Sequence, residues 1–131
     1  AYSEDFILQI IKDHKFPLDN FHIIKGFYNN TLTEKRREQL KSNPPSIINI
    51  DCDYYTSTIT VLNWLLPLLS SGCIFRFDDI WSFHGNPNYG ELKALKEFNK
   101  KGEGQLTSFP VLGLNSFAYM FSKPEFEYLQ K

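Results

Sequence analysis

The sequence predicts an α/β fold, a mostly parallel sheet flanked by helices and finished by a terminal antiparallel hairpin. Three observations predict it. Two short apolar runs, Ile47-Ile48-Asn49-Ile50 and Cys73-Ile74-Phe75-Arg76-Phe77, have the length of buried strands, and a helical pattern lies between them. A second helical pattern, with lysines on one side, follows the second run. Two more runs, residues 106–111 and 116–121, are joined by Leu112-Gly113-Leu114-Asn115, which reads as a tight turn. Alternating strands and helices favour parallel pairing, and the tight link makes the last pair antiparallel, with one antiparallel strand at the sheet edge.

The elements follow in order. Ser3 can cap a helix running to about Lys15, with Phe6, Ile7, Ile10 and Ile11 on one face and Pro17 beyond its end. Residues 21–25 form a β-branched and aromatic run closed by Gly26, which reads as a strand. Thr31-x-x-Glu34 has the spacing of a capping box that opens a polar helix to about Lys41. Asn43-Pro44-Pro45 forces extended backbone, so residues 47–50 follow as a strand buried on both faces. Ser57 or Thr58 starts the next helix, with Leu62, Leu65, Leu66 and Leu69 apolar, Pro67 as its kink or early end and Gly72 as its stop. Residues 73–77 form the second buried strand, residues 78–88 a loop, and residues 91–100 a covering helix with Leu92, Leu95 and Phe98 inward.

At 131 residues, of which 42% are apolar, the chain can bury one core, so residues 1–131 read as a single domain. Fourteen Lys and Arg against 15 Asp and Glu leave a net charge of -1, too balanced for a nucleic-acid or membrane-surface partner. The longest apolar run, residues 61–69, is interrupted by Asn63 and Pro67 and falls short of the roughly 20 residues that cross a bilayer. Cys52 and Cys73 have no spacing that suggests a disulfide framework or zinc site, which fits a reducing cytoplasm. The chain starts with Ala, and its first residues already read as helix, as in a processed or cut chain. Aromatic residues, 16% of the total, cluster in loops, which favours a surface for a ligand or partner.

In an open parallel sheet, ligands bind beyond the carboxyl ends of the strands. Both strand ends here are acidic. The first run leads into Asp51-Cys52-Asp53-Tyr54-Tyr55 and the second into Asp78-Asp79-Ile80-Trp81. If the strands are parallel neighbours, Asp51 and Asp78 emerge side by side, and three or four carboxylates converge. A hard divalent cation such as Mg²⁺, Mn²⁺ or Ca²⁺ would offset their repulsion. The alternative is that they are solvated loop residues or helix caps. His84, in the following loop, reads either as a base or substrate contact or as a surface histidine. No G-x-S-x-G elbow, Walker loop, H-E-x-x-H or paired C-x-x-C occurs, which removes the common hydrolase, nucleotide-triphosphatase and zinc readings.

Ile50-Asp51-Cys52-Asp53-Tyr54-Tyr55-Thr56-Ser57-Thr58, then Pro67-x4-Gly72, then Phe77-Asp78-Asp79 resembles the IDxDxYxST…P…G…DD stretch of the macrocin O-methyltransferase family. Lys25-Gly26-Phe27-Tyr28-x2-Thr31-Leu32 is similar to that family's KGxxxxTL segment, and Ala94-x2-Glu97-Phe98 to its following helix. The similarity spans roughly residues 21–121. It implies a Rossmann-like sheet of the class I methyltransferase type. It also implies S-adenosylmethionine-dependent, Mg²⁺-assisted methyl transfer to a hydroxyl of a small-molecule acceptor, often a sugar. Carried over, the metal ligands are Asp51, Asp78 and Asp79. Asp51 doubles as proton acceptor and Asp53 orients the ligands, while His84, by its place in the loop past the second acidic pair, is a second catalytic candidate. Gly26, Phe27 and Tyr28 are the residues that could touch the cofactor's adenine.

The family carries, ahead of this stretch, strands whose loops hold the cofactor's methionine and ribose, and neither has a counterpart here. The chain therefore reads as the carboxyl-terminal half to two-thirds of an enzyme, lacking the first strands of the sheet and holding S-adenosylmethionine poorly by itself. A non-catalytic interaction module that keeps the fold is the second reading, and a metal-dependent phosphoryl-transfer or phosphatase site the third. The missing strands would leave residues 47–50 with a bare edge. Either residues 21–25 move in to pair with it, or two chains join across it as a homodimer.

Overall fold

The computed structural model describes residues 3–17, 19, 21–109 and 117–124. Helix α1 (Glu4–Asp13) begins where the Ser3 side chain accepts the Phe6 N–H at 3.2 Å, as the sequence predicts. No residue of α1 is buried. Residues 21–25 form no strand. Their apolar side chains fit a strand, but they pair with no strand, the edge of β1 included, and without a paired ladder an extended segment is only coil.

A short helix, α2 (Tyr28–Thr31), precedes α3 (Glu34–Leu40), which starts two residues later than a box on Thr31 would place it. Thr33 is the cap, accepting the Arg36 N–H, while the Thr31 hydroxyl donates to the Phe27 carbonyl of the preceding turn.

The sheet has the order β1-β2-β4-β3. Strands β1 (Ile47–Ile50) and β2 (Ile74–Phe77) are parallel, with Ile47 opposite Ile74 and Ile50 opposite Phe77. Strand β4 (Ala118–Ser122) is antiparallel to both β2 and β3 (Gln105–Ser108) and lies between them. The antiparallel strand is thus interior rather than at the edge. In that place both sides of its backbone are hydrogen-bonded, where an edge position leaves one side open. Residues 112–115, read as the tight turn, lie outside the described residues.

Helix α4 (Tyr55–Leu65) starts before Ser57 and passes into a 3₁₀ turn, Leu66–Leu68, at the expected proline. Helix α5 (Gly90–Lys100) packs against α4, and both contribute to one core with Ile50, Phe75, Phe77 and Phe121. Among the described residues, only one face of β1 and β2 is covered. Ile50, Phe75 and Phe77 are buried, whereas Asn49 and Arg76 are exposed and joined by a 2.9 Å hydrogen bond. The expectation of a β1 buried on both faces fails at Ile47, which is 77% exposed, because β1 is an edge strand whose second face meets no helix among the described residues.

Candidate metal centre at the strand ends

Parallel pairing carries β1 and β2 out of the sheet together. The Asp78 N–H donates to the Ile50 carbonyl at 2.9 Å, one step beyond the last paired residues, so Asp51 and Asp78 leave from adjacent points. One carboxylate oxygen each from Asp51, Asp78 and Asp79 lie within 4.8 Å of one another. Oxygens about 2.0–2.6 Å from a single Mg²⁺ or Ca²⁺ stand up to about 5 Å apart, so this all-oxygen set fits a hard divalent cation. Arg76 also pairs with one oxygen of Asp78, and the Ser82 hydroxyl donates to Asp79 at 3.2 Å.

Asp53 sits at φ 57, enclosed by a bond from the Tyr54 N–H to the Cys52 carbonyl, the three-residue pattern of a γ-turn. Its carboxyl is raised above the usual range, first by a hydrogen bond with Asp79 and then by that residue's charge. Asp53 therefore stands beside Asp79.

Glu91 escaped the sequence reading. In a first helical turn an acid ordinarily faces water and favours the helix dipole, yet Glu91 is 0% exposed. Its Oε1 accepts the Cys52 N–H and its Oε2 the Asp79 N–H, each at 3.2 Å. Burial raises its pKa to about 7, against the two backbone hydrogen bonds, which favour the charged form, and with help from the charges of Asp79 and Asp51. One feature in the sequence could have exposed it. Glu91 lies one and four residues before Leu92 and Leu95, on the edge of the inward stripe of α5.

Gly26, Phe27 and Tyr28 meet the first acidic loop at Cys52, which Tyr28 contacts. They line an open cleft of about 520 Å³ with Thr56, Ser57 and Thr60, and Phe27 is 84% exposed. The Cys52 Sγ and the Tyr28 hydroxyl are hydrogen-bonded at 3.5 Å, and the Tyr28 O–H can donate to the sulfur. That bond, followed by burial, pushes the Tyr28 pKa up to about 12, and burial raises the Cys52 thiol. His84, in the 3₁₀ turn Phe83–Gly85 at φ 58, is exposed and is not among the three residues that converge.

The profile of the macrocin-O-methyltransferase (TylF) family matches residues 3–102. The match begins earlier than residue 21, at Ser3, the cap of α1, and stops before β3 and β4. Among solved structures, the crystal structure of CalS11, a calicheamicin methyltransferase, superposes with a TM-score of 0.52 at 20% identity, over 77% of this chain and 36% of that one. It shares the fold, and the matched part of this chain spans about a third of that chain's length. No curated protein sequence matches significantly.

Proposed function

The chain belongs to the macrocin-O-methyltransferase family, and on that premise we propose that it forms the cation-holding part of an S-adenosylmethionine-dependent O-methyltransferase acting on a hydroxylated small molecule of the sugar class. The observation that carries this reading is the convergence of Asp51, Asp78 and Asp79 at two parallel strand ends. In the proposed arrangement these three carboxylates hold Mg²⁺ and Asp51 accepts the proton of the acceptor hydroxyl. His84 contributes a contact to the acceptor. The cleft at Gly26, Phe27 and Tyr28 receives the adenine. When bound, Mg²⁺ supplies Lewis acidity that lowers the hydroxyl's pKa, and S-adenosylmethionine supplies the methyl group. Family membership favours this chemistry over phosphoryl transfer. Two free thiols suit a reducing cytoplasm, and among the described residues no helix is long and apolar enough to cross a membrane.

The test is thermal unfolding with and without Mg²⁺. Binding to the folded state raises the midpoint in proportion to the logarithm of ligand concentration over Kd. The wild-type midpoint should rise with millimolar Mg²⁺, and the double variant Asp78→Asn with Asp79→Asn should show no rise. A wild-type protein indifferent to Mg²⁺, or a variant that still responds fully, overturns the reading and favours the non-catalytic module.

A further inference from the structure

Three carboxylates within 4.8 Å repel one another, and β1 and β2 share no ladder hydrogen bond beyond the Asp78 N–H to Ile50 carbonyl contact. Past that point each acidic loop must be held from outside the sheet. The group that reaches both is Glu91, which arrives from α5 and places one oxygen on each loop. The Cys52 N–H belongs to the residue after Asp51, and the Asp79 N–H to a member of the cluster itself, so the carboxyl group spans the gap whose width sets the separation of the three aspartates. The rest of the first turns of α5 is anchored in the core through Ala94 and Leu95, at 0% and 5% exposure, so Glu91 is backed by a packed helix rather than by another loop.

We propose that Glu91 is a positioning residue that fixes the spacing of Asp51 against Asp78 and Asp79 for a divalent cation. The inference rests on the reading that these aspartates hold the cation, and Glu91 itself is not a ligand in it. Glutamine at this position keeps the volume but presents an amide N–H₂ where one oxygen stood, so one loop loses its acceptor and meets a donor instead. Residues that orient metal ligands typically change affinity by about 10–100-fold when altered.

The experiment is a Mn²⁺ titration of the full chain, free ion being read by electron paramagnetic resonance. It compares the wild type with Glu91→Gln, Glu91→Asp and Leu106→Ala. Leu106 is 2% exposed in β3, so its truncation lowers stability without touching either acidic loop. Glu91→Gln should weaken Mn²⁺ binding at least about tenfold, while Leu106→Ala should bind as the wild type does. Glu91→Asp keeps the charge but is one methylene short. It should also bind weakly, and it serves if the glutamine variant does not fold. Wild-type affinity in either folded Glu91 variant overturns the inference and leaves the cation reading standing. Equal weakening in Leu106→Ala overturns it too, because loss of stability alone would then explain the effect. A wild-type chain with no saturable Mn²⁺ binding overturns both.

Discussion

The carboxyl group of Glu91 accepts the backbone N–H of Cys52 at 3.2 Å across 39 residues of chain, while its second oxygen takes the N–H of Asp79. A fully buried acid thereby joins two loops that are themselves acidic, and its protonation becomes coupled to folding.

That coupling has a definite sign. The Glu91 pKa is raised to about 7 in the folded state, so the folded chain holds this proton more tightly than the unfolded one. The stabilisation is complete below the ordinary glutamate pKa and is lost as pH rises through about 7, with a slope of at most about 1.4 kcal/mol per pH unit from this single group. Urea unfolding at intervals from pH 4.5 to 8 should show wild-type stability falling relative to Glu91→Gln. A difference between the two that stays flat with pH would contradict the assignment.

Gly90, beside Glu91, sits at φ +56, and a Cβ there would meet the Phe83 ring at 2.8 Å and the Asp53 carbonyl at 3.2 Å. Gly90→Ala should therefore cost about 1–3 kcal/mol, combining backbone strain with a clash. Gly72, at φ +95, has nothing within 4 Å of its Cβ position, so Gly72→Ala bears only the strain. Denaturant midpoints should rank Gly90→Ala well below Gly72→Ala, and equal losses would show that Phe83 moves aside freely.

Binding of S-adenosylmethionine by this chain alone should be weaker than micromolar. The cleft at Gly26, Phe27 and Tyr28 is open, and what it offers the adenine must still offset the entropy lost on association. Isothermal calorimetry checks this, and a micromolar Kd would mean that the chain holds more of the cofactor than the cleft suggests.

The outer edge of β1 is unpaired among the described residues, and residues 21–25 do not cover it. We expect two copies to associate across it, since unpaired N–H and C=O groups along a strand favour pairing with another chain. Light scattering after size exclusion should give a dimer mass, reduced to the monomer by Ile47→Pro, which removes an edge donor. A wild-type monomer at high micromolar concentration would dismiss the dimer, as the structure has already dismissed pairing by residues 21–25.

Local chemistry was enough to read β1, β2, α1, the helix ending at Pro67 and the acids at both strand ends. Strand-length apolar runs, a serine cap and a proline act within a few residues of themselves. The KGxxxxTL, IDxDxYxST and DD segments likewise stand in the sequence and indicated the family. Decisions that need a partner distant in the chain came only with tertiary structure. Residues 21–25 have strand composition but do not pair with the free edge of β1. Ile47 is as apolar as Ile50 yet exposed, because its side chain points to the uncovered face. The placement of β4 between β2 and β3 depends on which edge was free, and Thr33 rather than Thr31 caps α3 because Thr31 is still inside α2 while Thr33 has the extended backbone of a cap. Glu91 is the sharpest case. In sequence it is an acid in a first helical turn, and it becomes a buried tie only because two N–H groups, 39 and 12 residues away, converge where the core would otherwise leave its charge unpaired.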